Sequence, residues 1–100
     1  MADTDIDRRT LTSQSRIAVA PNQVSCDLAG DTAIVNLKNG VYYGLDTVGT
    51  HVWNQLRHPV TFEDLCGALM QRYDVDRLRL EADMRTFLRE LAEQGLIEIT

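Results

Sequence analysis

The sequence has no run of apolar residues approaching the roughly 20 that a membrane-spanning helix needs. Its first sixteen residues, MADTDIDRRTLTSQSR, lack the apolar segment of a signal peptide. The adjacent Arg8 and Arg9 are therefore not read as an export signal, and a cytoplasmic protein with no membrane partner is expected. Cysteine is scarce. Cys26 and Cys66 stand alone, with no CxxC pair and no histidine cluster, so neither a disulfide framework nor a metal site is expected. Positive charge is short as well. The formal net charge is −5, and residues 61–100 carry nine acids against five arginines. Nucleic-acid affinity rests on neutralising phosphates with Lys and Arg, so this balance argues against a nucleic-acid partner. There is no internal repeat and no low-complexity tract, and 100 residues suffice for one domain.

What is present follows a clear order. Residues 1–16 offer few apolar side chains and no periodicity, and are expected to form a flexible tail preceding a domain over 17–100. After Pro21 and Asn22, the alternation of Val24, Cys26 and Leu28 with Ser25 and Asp27 predicts a strand with one buried face. Ala29, Gly30 and Asp31 supply a turn into a second strand, about Thr32 to Leu37, and a third follows at about Val41 to Leu45. A two-residue turn at Asn39-Gly40 would set Thr32 and Asn36 on the face of Tyr43 and Leu45, mixing polar with apolar. A three-residue loop with a left-handed Gly40 instead aligns Ala33, Val35 and Leu37 with Val41, Tyr43 and Leu45, and is expected for that reason. It leaves Ile34, Tyr42 and Gly44 on the opposite face.

Asp46 or Thr47 can cap a first helix bearing Val48, Val52, Trp53 and Leu56, ended by His58-Pro59. Thr61 with Asp64 resembles a capping box, and predicts a second helix from about Phe62 to Tyr73 with Phe62, Leu65, Cys66, Leu69 and Tyr73 inward. Asp76 can cap a third, longer helix whose stripe is Leu80, Met84, Phe87, Leu88 and Leu91, closing at Gly95. The tail Leu96 to Ile99 can pack back on the core or extend as a short strand. The expected architecture is α+β and winged-helix-like, a three-stranded antiparallel β-meander followed by three helices.

Candidate chemistry is sparse. Asp74, Asp76 and Glu81 lack the spacing of a calcium loop and read as helix capping. Nothing in the sequence sets His51 or His58 against Cys66 as base and nucleophile. The third helix mixes Arg77, Arg79, Arg85 and Arg89 with Glu81, Asp83, Glu90 and Glu93, which suits a solvated face or the rim of a peptide groove better than a DNA-reading helix. No catalytic residue, metal or cofactor is assigned. The segment VYYGLD carries more. Its strand lies at one edge of a meander, has neither Pro nor charge before Asp46, and contains Gly44, which lets another backbone approach. Such an edge is a docking surface.

The run NGVYYGLDTVGTHVWNQL and the closing EADMRTFLRELAEQGLI resemble the PqqD-like family, the RiPP recognition elements, and in particular the stand-alone members found with lasso-peptide biosynthesis. Family members usually carry Asn where this chain has Asp46, and both cap helices. The resemblance implies a non-catalytic module that binds the leader of a ribosomally made precursor peptide. In such domains the leader adds as a strand to the edge of the third strand, in the cleft formed with the third helix. Carried over by position, Val41, Tyr42, Tyr43 and Gly44 provide the edge, and Leu80, Asp83, Met84 and Phe87 line the helix side. It further implies two enzyme partners, a leader peptidase and an ATP-dependent macrolactam synthetase. Two other readings remain open on the sequence, a winged-helix transcriptional regulator, which the charge opposes, and an accessory subunit that stabilises a larger enzyme.

Overall fold

A computed structural model describes residues 11–100 of the chain. Its elements run β1 (Arg16–Val19), β2 (Gln23–Leu28), β3 (Asp31–Asn36), β4 (Tyr42–Leu45), α1 (Thr47–Gln55), β5 (Val60–Thr61), α2 (Phe62–Arg72), α3 (Arg77–Glu93) and β6 (Ile97–Ile99). The expected α+β order, a meander and then three helices, is present as the sheet β2-β3-β4 and helices α1 to α3. A second small antiparallel sheet, β5-β1-β6, was not anticipated beyond a possible strand near the C-terminus.

Local chemistry accounts for the helix ends. Asp46 Oδ1 accepts from Gly49 N–H at 2.9 Å, Thr61 Oγ1 from Asp64 N–H at 3.1 Å, and Asp76 Oδ2 from Arg79 N–H at 3.0 Å. Helix α3 closes at Gly95, with φ +75°. Gly95 N–H donates to the Ala92 carbonyl and Leu96 N–H to the Leu91 carbonyl, each at 3.0 Å. These paired bonds satisfy carbonyls that the last turn leaves open.

Of the expected tail over 1–16, the first ten residues lie outside the described residues, but residues 11–16 belong to the fold. Leu11 is 5% exposed and joins the core cluster, and Arg16 opens β1. The carbonyls of Ser13 and Ser15 accept from Glu63 and Phe62 N–H, at 3.1 and 2.8 Å. This segment thus takes up donors that the start of α2 leaves free. Arg85 lies over the Phe62 ring, 4.9 Å from its centroid, and donates to the Leu11 carbonyl.

The register of the meander differs from the expected one. Ile34 pairs with Tyr43, Thr32 with Leu45 and Val35 with Tyr42, so Thr32, Ile34 and Asn36 share the inner face with Tyr43 and Leu45. Asn36 N–H donates to the Val41 carbonyl at 2.9 Å, which leaves a four-residue loop, Leu37 to Gly40, with Gly40 at φ +72°. Polar residues face inward here because each finds a partner. Thr32 Oγ1 donates to Thr50 Oγ1 at 2.9 Å, and Asn36 bonds both the Gln94 carbonyl and Lys38 N–H at 2.8 Å.

The same register turns β2 over. Val24, Cys26 and Leu28, expected to be buried, lie on the outer face, where Val24 is 54% and Leu28 51% exposed and Cys26 is also exposed. With Leu37 and Tyr42 they form an apolar surface that nothing in the described residues covers. The core itself sits between the inner face of β3 and β4, the three helices and the second sheet, centred on Ile17, Ile34, Trp53, Phe62, Leu88 and Leu91.

Candidate functional site

Among the described residues, strand β4 has β3 on one side and no strand on the other. In an antiparallel ladder, alternate residues direct their N–H and C=O to one neighbour. The Asn36 to Val41 bond and the pairing of Ile34 with Tyr43 place Val41, Tyr43 and Leu45 in the set facing β3. The main-chain groups of Tyr42 and Gly44 therefore point to the free edge. Both residues are exposed, and a Cβ on Gly44 would meet nothing within 4 Å. The edge is short, apolar and open to another backbone.

Beside this edge runs a cleft of about 250 Å³ between the start of α1 and the middle of α3. Val48, Gly49 and Val52 form one wall, Met84 and Phe87 the other, and Asp46 and Asp83 stand at the rim. Gly49 packs closely on the strand end, and a Cβ there would lie 3.2 Å from Leu45 Cβ. Helix α3 presents Asp83 and Phe87 to the cleft, and Glu90 follows Phe87 at helical spacing. Tyr43 lies close to Glu90. Burial, and then the charge and hydrogen bonding of the Glu90 carboxylate, push the Tyr43 phenol above its usual pKa.

Of the residues expected at a peptide site, the structure puts Tyr42, Tyr43 and Gly44 on the edge strand and Val41, 42% exposed, just before it. Asp83, Met84 and Phe87 line the cleft beside them. Leu80 does not join this group; at 9% exposed it is part of the core cluster. Sequence reasoning missed Asp46, Val48, Gly49 and Val52 as cleft residues. Val48 was assigned to the buried stripe of α1 but is 47% exposed. Its neighbour Asp46 was legible only as a cap.

The groups weighed for catalysis lie elsewhere. Cys66 is fully buried, and desolvation raises its thiol pKa against the opposing pull of Arg77 and Arg85. His51 meets the Tyr73 hydroxyl and the Arg72 guanidinium. Among the described residues no three His, Cys, Asp or Glu side chains come together as a metal site would require, and no helix is long and apolar enough to cross a membrane.

Residues 31–97 match the family model for coenzyme PQQ synthesis protein D (PqqD). No curated protein matches the chain. Among solved structures, TbiB1 in complex with the TbiA(beta) leader peptide is similar, with a TM-score of 0.77 and 34% identity over 81% of this chain and 94% of that one. The matched region holds β3, β4, all three helices and hence the whole edge and cleft, and on this ground the chain belongs to the PqqD family.

Proposed function

We propose that this chain is a non-catalytic module that binds the leader of a ribosomally synthesised precursor peptide in the cytoplasm and brings that precursor to its modifying enzymes, a leader peptidase and a macrolactam synthetase. The observation that carries this reading is the free edge of β4 lying alongside the cleft formed with α3. An extended leader adds to the edge through the main chain of Tyr42 and Gly44, and alternate side chains enter the cleft against Met84 and Phe87. TbiB1, whose structure is similar, is held in complex with a leader peptide, which supports the same use of this fold. Recruitment alone is a sufficient mechanism, because tethering raises the effective concentration of the core peptide at the enzymes. The uncovered outer face around Val24, Leu28 and Tyr42 offers area for a protein partner and supports the recruiting part of the reading.

The test uses the main chain. With a synthetic leader peptide as the ligand, Tyr42→Pro removes an outward donor and is expected to leave the domain folded while weakening binding by about 1–3 kcal/mol. Tyr43→Pro removes a donor that faces β3 and is expected to damage the fold. Circular dichroism and a binding titration separate the two. Wild-type binding by a folded Tyr42→Pro variant would sink strand addition at this edge and favour the accessory-subunit reading.

A further inference from the structure

The groove is apolar at its floor and acidic along its length. Asp46 and Asp83 stand at the rim of the cleft, and Glu90 lies further along α3 opposite Tyr43. Asp46 spends one carboxylate oxygen on the Gly49 N–H. Asp83 pairs with Arg79 at 3.9 Å, with the side chains 65% and 80% exposed respectively, so the two are loosely held and remain solvated. Among the described residues no lysine or arginine lines the cleft. A chain of net charge −5 thus sets acidic side chains along a groove next to its edge strand.

Strand geometry fixes where a bound peptide meets that charge. Residues of an added strand opposite Tyr43 and Leu45 point to the inner face, toward α3, and those opposite Tyr42 and Gly44 point to the outer face. The two inward positions are two residues apart, about 7 Å. The first lies beside Glu90. The second lies at the level of Gly49, which packs on Leu45 and shares the cleft wall with Val48 and Val52. Along α3, Glu90 is three residues from Phe87 and six from Met84, about 4.5 and 9 Å by helical rise, which brackets the same separation.

Resting on the peptide-binding reading above, we infer that the groove selects an extended segment with a basic residue and a large apolar residue two positions apart, the cation held by Glu90 and the apolar side chain seated among Val48, Val52, Met84 and Phe87. The acids set the sign of the ligand and the apolar pocket sets its register. Charge complementarity also gives association a dependence on ionic strength that an apolar groove alone lacks.

A displayed library of random 12-residue peptides, selected on the full chain, tests this directly. Enriched peptides are expected to share Lys or Arg two residues from Leu, Ile, Met or an aromatic residue. A chain carrying Glu90→Gln and Asp83→Asn, both at exposed positions, is expected to lose that preference. Replacing the basic residue of an enriched synthetic peptide by Gln should weaken its binding to the wild-type chain about 3–5-fold, and much less to the variant. Enriched peptides with no basic preference, or a preference that survives in the variant, would overturn the inference and leave peptide binding standing. Enriched peptides that bind the Tyr42→Pro chain undiminished, or no enrichment at all, would overturn the strand-addition reading and this inference with it.

Discussion

Asn36, the last residue of β3, donates from Nδ2 to the carbonyl of Gln94, the C-cap of α3, across 58 positions of sequence at 2.8 Å. The bond ties the sheet that carries the free β4 edge to the helix that forms one wall of the cleft. Asn36 is 4% exposed, and its Oδ1 also accepts from Lys38 N–H. Asn36→Ala is therefore expected to cost about 1–3 kcal/mol by leaving buried groups unpaired. Gly95→Ala is expected to be destabilising for two reasons, its φ of +75° and a Cβ only 3.0 Å from Asn36 Nδ2. Gly44→Ala, which meets open space, should leave the unfolding midpoint unchanged. Urea denaturation of the three variants checks all of this.

Leu11 packs into the core from a segment that the sequence marks as a tail. Leu11→Ala is expected to cost about 2–4 kcal/mol by opening a cavity. Deleting residues 1–16 should cost more, because the bonds from Phe62 and Glu63 N–H to Ser15 and Ser13 go with it. A melting temperature unaffected by the deletion would refute the docking of this segment.

Tyr43 makes stability fall at alkaline pH. Its pKa in the fold is raised above 10.0, chiefly by burial and then by Glu90, so the folded state holds the phenol proton more tightly than the unfolded chain. This contribution is complete below pH 10 and is lost as pH rises through the folded value. Tyr43→Phe is expected to flatten that part of the pH–stability curve. The buried Cys66 thiol, raised above 9.0, adds a loss of the same sign starting lower, and Cys66→Ala separates the two.

The outer face gives a prediction about partners that is independent of the peptide. Val24→Asp places a charge on an exposed position, and is expected to leave both fold and leader affinity intact. Its effect should be confined to association with the enzymes proposed as partners, read by co-purification of the mixed components. Weakened leader binding in this variant would show that the two surfaces are not separate.

Much of the helical half is legible from local chemistry. Asp46, Thr61 and Asp76 cap the helices they were assigned to, and Gly95 closes α3, because a cap depends on residues within a turn of one another. The meander was legible as three strands but not in register. Excluding Thr32 and Asn36 from the inner face follows from their polarity, and what reverses it are partners at Thr50 and Gln94, which no local pattern announces. The alternation of Val24, Cys26 and Leu28 marks a strand correctly, yet an apolar face reads the same whether it meets a core or is left open. Strands β1, β5 and β6 are two to four residues long, too short for a period to show. Of the residues that the family resemblance implied for a peptide site, Asp83, Met84 and Phe87 line the cleft and Tyr42, Tyr43 and Gly44 lie on the neighbouring edge strand, while Leu80, on the same helical stripe, is not part of the cleft lining.

The position of β1 has a consequence for how the chain assembles as it is made. Its partners are β5 and β6, with Ile17 set against both Val60 and Ile99, and Arg16 exchanging main-chain bonds with Thr100. The meander β2-β3-β4 pairs only near neighbours, so loop closure is cheap and it is expected to form early. The second sheet cannot close until Ile97–Ile99 has been synthesised and has cleared the ribosome. Strand β1 can meet β5 earlier but completes its pairing only with β6, and through that interval the edge of β4 is already built while the sheet bracing the helices is still incomplete.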